Sequence, residues 1–506
     1  MEKSKIIKGA FILTLANIIT RILGFVYRVC MADLIGAEGM GLYQLITPVY
    51  MLVWSISSSG FSTVISKLSA SETACGRSSS VILKISCVLS GLTAAVLSLI
   101  VFKNSYFIAE RLLGDARTAL SLRLLCFCFP FMALGSCIRG WFFGMQNSFP
   151  PAASQVVEQV SRMTIIFLIG GLLIPKGIEY ACAAAVTGMA VGETVSCIYI
   201  AISFLTGSKG FRHKKSLKAS LALKLILVSV IPLTLNRLTS SLLSALQNVL
   251  IPSRLMTFGL SKTAAVSEFG RLSGMAMPLL MFPSSFLTAV SITIVPAISE
   301  SFAKGQMRSV RRTIEKSILF SSVTGFGAAA LFTALPSQIS VLVYGEGSIS
   351  SLLFMLGFLC PFMYLNVMTT GILNGMGEQT PIFINGLAGS AVCLGFVWFA
   401  VPELGIGGCI LGSLFSMIIT CGLNILRLIK KAPFSPDLLN LVLKPMLCAL
   451  LSALMTDSLS QRLVGIPPKA AALVLCLFLM GAYFLLLLAV GSIKKEDIRS
   501  LLLQNR

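Results

Sequence analysis

Apolar runs of 20 or more residues recur from one end of this chain to the other, and no polar stretch between them is long enough to fold as a soluble domain. Each run can cross about 30 Å of hydrocarbon as a helix. Hydrocarbon leaves the backbone few options: unpaired N–H and C=O groups are costly there, and a helix pairs them within itself. Composition agrees, since 12% of the residues are charged and the mean hydropathy is +0.90, against about 25% charged in soluble domains. The expected fold class is an all-α polytopic membrane protein with about fourteen transmembrane helices.

Seven segments are expected near 8–31, 43–66, 81–102, 119–144, 151–174, 178–205 and 224–250. Seven more are expected near 272–298, 316–342, 350–375, 381–401, 405–428, 439–460 and 468–491. The opening MEKSKIIK is basic and runs into the first segment without a small-residue cleavage site, which reads as a retained helix. With a cytoplasmic N-terminus, the stretches between these bounds carry 19 Lys and Arg on the inside and 8 on the outside, the bias that orients membrane proteins. The net charge of +21 is therefore assigned to topology in a multi-pass cell-membrane protein, not to nucleic acid. The basic loops Lys209 to Lys224 and Lys304 to Lys316 are expected to touch anionic lipid.

The 14 Cys carry no metal-ligand spacing, and the sole His, His213, lies in a basic loop. No metal or cofactor is expected. Nor does the chain carry a nucleophile motif or a phosphate loop, so the reading is not an enzyme.

The chain also repeats itself. PFMALGSCIRGWFFGMQNSFP (Pro130 to Pro150) aligns without a gap on PFMYLNVMTTGILNGMGEQTP (Pro361 to Pro381), with 8 identities in 21 residues, among them Gly140/Gly371 and Gly144/Gly375. Arg21 and Arg237 lie at an offset of 216, and Pro175/Pro402 and Cys182/Cys409 at 227. Such self-similarity implies two parallel six-helix repeats enclosing a central cavity, followed by two extra C-terminal helices. The expected division is 1–207 for the first lobe, 208–223 for a basic cytoplasmic loop, 224–430 for the second lobe, and 431–506 for the last two helices and tail.

Charges inside hydrocarbon are expensive, so those that persist usually face water, a partner or a substrate. Asn17, Arg21, Gly24 and Arg28 recur at helical spacing in the first segment and share one face. Arg237, Ser240 and Ser244 make the corresponding stripe in the seventh. Arg139 falls in the fourth segment, Glu158 and Arg162 one helical turn apart in the fifth, and Glu193 in the sixth. Arg28 has the alternative of snorkelling to the interface, and Glu158 with Arg162 that of a purely structural pair. Five Arg against two Glu leave a cationic surplus, and guanidinium forks suit phosphate or diphosphate. Arg21, Arg28, Arg139 and Arg237 are the candidate substrate-binding residues; Glu158, Arg162 and Glu193 are the candidate ion-pair or coupling residues.

TRILGFVYR (Thr20 to Arg28), LIGAEGMGLYQLITPVY (Leu34 to Tyr50), SSGFSTVISKLSA (Ser58 to Ala70) and FPSSFLTAVSITIVPAISESFAKG (Phe282 to Gly305) resemble the stage V sporulation protein B and polysaccharide-transport family. Its superfamily includes the lipid II flippase MurJ and the multidrug and toxin extrusion exporters. The resemblance implies a fourteen-helix, alternating-access flippase with a cationic cavity, whose cargo is an undecaprenyl-diphosphate-linked sugar for spore cortex or cell wall, acting beside cell-wall synthesis proteins. Arg21 matches the first Arg of the MurJ motif R-x-L-G-F; the second falls on Tyr27, with Arg28 one place later. The Arg that MurJ carries in its second span has no counterpart among Trp54 to Gly60, and the Arg before F-P-S is missing from GMAMPLLMFPS. The rival on the same fold is a cation-coupled multidrug exporter, for which Glu158 and Glu193 are the evident acids. A non-transporting scaffold has no use for a cationic stripe.

The orientation is open to direct test. Green fluorescent protein inserted in the 208–223 loop should fluoresce and alkaline phosphatase there should be inactive, with the opposite pattern for insertions after Gly114. A reversed pattern overturns the cytoplasmic N-terminus.

Overall fold

The structure, a computed structural model, describes residues 2–207, 217–434, 437–462 and 466–492, with side chains from residue 16 onward. His213, the greater part of the 208–223 loop and the tail from 493 lie outside the described residues. What is described is helix and connecting turn, without a strand. The all-α membrane class expected above is the fold observed.

Two compact units divide the chain: 1–256 with 260–270, and 257–259 with 271–506. In the first, α1 (Glu2–Trp54) is broken at Gly36, whose φ is 69°. It is followed by α2 (Gly60–Ala74), α3 (Ser80–Lys103), α4 (Ala119–Cys126), α5 (Phe129–Gly144), α6 (Phe149–Leu173), α7 (Ile178–Gly207), α8 (Ala219–Thr257) and α9 (Lys262–Phe269). The second holds α10 (Met277–Ala303), α11 (Met307–Ala334), α12 (Pro336–Tyr344), α13 (Ser350–Gly357), α14 (Cys360–Gly375), α15 (Gln379–Phe399), α16 (Ile406–Lys431), α17 (Lys444–Ser460) and α18 (Pro468–Ala489).

Ten helices among the described residues are long and apolar enough to cross a bilayer, or twelve when the bent pairs α4/α5 (48°) and α13/α14 (55°) each count as one span. These twelve overlie the third to fourteenth expected segments. The first two segments fall in α1 and its continuation through Ser55–Ser59 into α2, outside that count.

The repeat and the compact units part the chain at different places, and packing explains why. Helix α8, which opens the second sequence repeat, places Ala222, Ile226 and Val230 in the core of the first unit, against Phe61, Ile65, Ile82 and Trp141. A Cβ on Gly60 would meet Thr234 Oγ1 at 2.6 Å, so the bare glycine of α2 makes room for that α8 side chain.

The duplicated glycines mark a close helix crossing in each unit. A Cβ on Gly140 would sit 2.5 Å from the Ser62 carbonyl oxygen, and one on Gly144 2.6 Å from that of Ser66, where α5 crosses α2. In the second unit Gly371 and Gly375 face α10, where a Cβ on Gly371 would collide with the Ser291 hydroxyl and one on Gly375 would lie 3.1 Å from the Val295 carbonyl oxygen. Small residues four apart let membrane helices approach closely where no hydrophobic force drives them together.

The two appended helices belong to the second unit: α17 packs on α11 and α18, and the Tyr483 hydroxyl donates to the Val323 carbonyl at 2.8 Å. At one rim of the first unit, buried Asp115 caps the turn before α4 and accepts from Arg117 Nη2 at 2.7 Å, while Arg117 Nη1 donates to Glu38 at 2.6 Å. Burial pushes the Asp115 carboxyl up, but the hydrogen bonds from Arg117 outweigh it and hold the group below its ordinary value.

Substitution at the duplicated glycines tests this packing. Gly140→Leu and Gly371→Leu should each lower stability in detergent by about 1–3 kcal/mol, the usual cost of overpacking. Gly386→Leu, at a position with open space around it, should leave the melting temperature unchanged. An unchanged melting temperature for Gly140→Leu overturns the account.

Candidate functional site

Helix α6 carries Gln155, Glu158, Gln159 and Arg162 at positions i, i+3, i+4 and i+7, one polar face on an otherwise apolar span. That face meets α7 at Gly192, where a Cβ would lie 2.6 Å from Arg162 Cγ. The missing side chain makes room for the guanidinium, which donates to Glu158 Oε1 at 2.5 Å and reaches Glu193 Oε1 at 3.5 Å. Tyr50 Oη donates to the same Glu193 oxygen at 2.7 Å.

Arg139 of α5 approaches from the other side. Its Nη2 lies 4.0 Å from Glu193 Oε2, and its nitrogens donate to Ser196 Oγ at 3.2 Å and Ser136 Oγ at 3.4 Å. Glu193 is 4% exposed. Its Oε2 and Arg162 Nε are buried without a hydrogen-bond partner. Opposite charges 4 Å apart attract by about 4 kcal/mol at the effective dielectric of a protein, so the four charged groups form one cluster with no net charge.

Beside this cluster lies a cleft of about 490 Å³ within the first unit. Arg139, Glu158 and Glu193 form part of its wall, together with Gln155 and Gln159, the aromatic rings of Trp54 and Phe143, and hydroxyls from Thr20, Ser59, Ser62 and Thr63. Two further guanidiniums enter it, Arg21 from α1 and Arg237 from α8. Arg237 donates to Thr63 Oγ1 at 3.2 Å and stands 6.0 Å from the Trp54 ring centroid, within cation–π range. Neither Arg21 nor Arg237 has a carboxylate partner among the described residues.

Part of the wall is unwound. Between α1 and α2 the Ser55–Ser59 turn widens, a local form often found at functional positions. Serine hydroxyls satisfy the backbone there: Ser57 Oγ donates to the Val53 carbonyl at 2.7 Å, and Ser90 Oγ to that of Ser57 at 2.5 Å. Ser55 and Ser241 share a hydroxyl contact of 2.6 Å that ties this turn to α8.

Of the residues singled out in the sequence, Arg21, Arg139, Arg237, Glu158 and Glu193 line one cleft, and Arg162 stands behind it. Arg28 is exposed and does not line the cleft, while Tyr27, at the register of the family motif's second Arg, is buried with its hydroxyl 3.5 Å from the Ala185 carbonyl. Sequence reasoning missed Gln155 and Gln159, which the i, i+4 polar spacing around Glu158 could have found. Tyr50, Ser196 and Trp54 carried no such signal, because they reach the site through the tertiary fold.

The second unit keeps the helix arrangement and loses the charge. The repeat positions of Arg139, Glu158 and Arg162 are Thr370, Gly389 and Cys393. There Asn385 donates to Asn424 at 2.9 Å and Asn424 to Asn366 at 3.0 Å, a neutral amide chain. A Cβ on Gly389 would be 2.1 Å from Thr420 Oγ1, so the space filled by ion pairs in the first unit is closed by packing in the second.

Residues 6–302 match the family described as polysaccharide biosynthesis protein. The chain belongs to that family. It is 28% identical over 517 residues to stage V sporulation protein B of Bacillus subtilis (strain 168), covering 99% of this chain and 98% of that one. Among solved structures it is similar to the lipid II flippase MurJ in an inward closed conformation, with TM-score 0.68 and 15% identity over 94% of this chain and 98% of that one. It is also similar to an inward-facing multidrug resistance MATE family transporter of the MOP superfamily, with TM-score 0.63 and 16% identity over 84% and 99%. The fold is thus one shared with a lipid II flippase and with a multidrug resistance transporter.

Removing the central cation should be costly. Arg162→Ala leaves Glu158 and Glu193 with only the more distant Arg139 to balance them, and breaking a buried pair from one side costs about 3–5 kcal/mol. The measurement is thermal unfolding in detergent, with Arg162→Ala/Glu158→Gln expected to recover part of the loss. Wild-type stability for the single variant overturns the assignment.

Proposed function

We propose that this chain is a flippase for a lipid-linked oligosaccharide, carrying an undecaprenyl-diphosphate-linked sugar across the membrane by alternating access. The observation that carries this reading is the pair of guanidiniums, Arg21 and Arg237, that enter a membrane-embedded cleft without a carboxylate partner among the described residues. A diphosphate diester bears two negative charges and offers oxygens for bidentate pairing with such forks. Hydroxyls, Gln155, Gln159 and the Trp54 ring beside the two Arg supply the polar and aromatic surface a sugar needs.

Family membership supports cargo connected with polysaccharide synthesis, and the full-length likeness to a sporulation protein supports a role in the spore cortex or cell wall. A cation-coupled exporter would need a carboxylate at liberty to take up a cation. Here Arg162 bridges Glu158 and Glu193. The exposure of Arg308, Arg311 and Arg312, at the start of α11, supports contact with anionic lipid headgroups, on the cytoplasmic side in the orientation expected from the sequence.

The test is translocation of a labelled undecaprenyl-diphosphate sugar in inverted vesicles. Losing one charge-assisted contact, worth about 1.5–3 kcal/mol, should slow transport about tenfold or more in Arg21→Ala and in Arg237→Ala. A correctly expressed double variant that transports at the wild-type rate would falsify the site.

A further inference from the structure

We infer that Glu193 withholds Arg139 from the cleft's ligand, so that the site offers two net positive charges and selects a doubly charged anion over a singly charged one. The inference rests on the diphosphate reading above and adds to it a rule of selection.

Three cleft-lining residues are arginines, and they differ in what balances them. Arg139 and Arg162 face Glu158 and Glu193 within 2.5 to 4.0 Å, and the four formal charges cancel. Arg21 and Arg237 have no such balance. An anion in the cleft therefore meets two uncompensated cations, the number a diphosphate diester neutralises.

Arg139 is the group whose allegiance could change. Its partners besides Glu193 are the neutral hydroxyls of Ser136 and Ser196, at 3.4 and 3.2 Å. Its carboxylate contact is the longest of the cluster, and the Glu193 oxygen it faces is buried without a hydrogen bond. An unmade hydrogen bond on a buried carboxylate keeps its full demand for a cation, and Arg139 Nη2 lies 4.0 Å from that oxygen. Glu193 is held in place to do this by Tyr50 on its other oxygen. Glu193 is thus a positioning residue that acts through Arg139.

Two prenyl-linked sugars distinguish the charge states, one joined through a single phosphodiester (one charge) and one through a diphosphate (two charges). Binding of each to the full-length protein in nanodiscs is measured by thermophoresis. Wild type should prefer the two-charge probe by about tenfold or more, the scale of one charge-assisted hydrogen bond. Glu193→Gln removes the restraint on Arg139 and adds a third uncompensated charge, which attracts two negative charges more than one, so both probes should tighten and the ratio should widen to about thirtyfold or more. Glu193→Asp, which keeps the charge, should retain the wild-type ratio, and Glu193→Gln/Arg139→Met should lose the gain.

An unchanged ratio in Glu193→Gln overturns the inference, as does a gain that survives the added Arg139→Met. If Glu193→Gln does not fold, Glu158→Gln tests the same balance, because Arg162 then turns wholly to Glu193 and Arg139 is released. Equal binding of both probes by wild type sinks the selection rule and leaves the diphosphate reading standing. Binding of neither probe by wild type and variants overturns both.

Discussion

A charge in hydrocarbon must find its counter-charge within the protein or in what the protein carries. Arg162 meets that condition internally, clasped by Glu158 and Glu193 across α6 and α7 with Gly192 giving it room. Much of the first unit is arranged around this clasp. Tyr50 from α1 and Arg139 from α5 both come to Glu193, so three elements are ordered by one carboxylate. Replacing such a cluster with apolar groups is often neutral or stabilising. Its persistence on the wall of a cleft is better explained by the field it sets there than by stability.

The second unit serves as an internal comparison. It has the same glycine-mediated helix crossing, Gly371 and Gly375 on α10 against Gly140 and Gly144 on α2, but a neutral asparagine chain where the first unit is ionic. The shared parts are those that bring helices close when no hydrophobic force does so. The parts that differ are those that would meet a ligand. Close glycine crossings are thus common to both units, while the Arg162 ion-pair cluster stands in the first.

Much was legible in the chain before any coordinates. Apolar run length located the described membrane helices to within a turn or two at most ends, because hydrocarbon thickness sets span length. Offset identities at Gly140/Gly371 and Gly144/Gly375 pointed to packing devices, since only small residues allow such crossings. Helical spacing paired Glu158 with Arg162 and put Arg21 on a polar face. It could not tell Arg21 from Arg28 on that face: both recur at helical spacing, yet one enters the cleft and the other lies outside it. Nor could it foresee that Arg139 would stand beside Glu193, 54 residues away in sequence and on another helix.

By itself the sequence determined that the chain is helical, membrane-embedded, internally duplicated and richer in intramembrane Arg than in acid. Those properties follow from local rules, the bilayer's thickness, the helix's period and the cost of a bare charge. Only the tertiary structure decided which Arg are balanced and which are not. Compensation depends on distances between side chains on different helices, and a one-dimensional period carries no information about those.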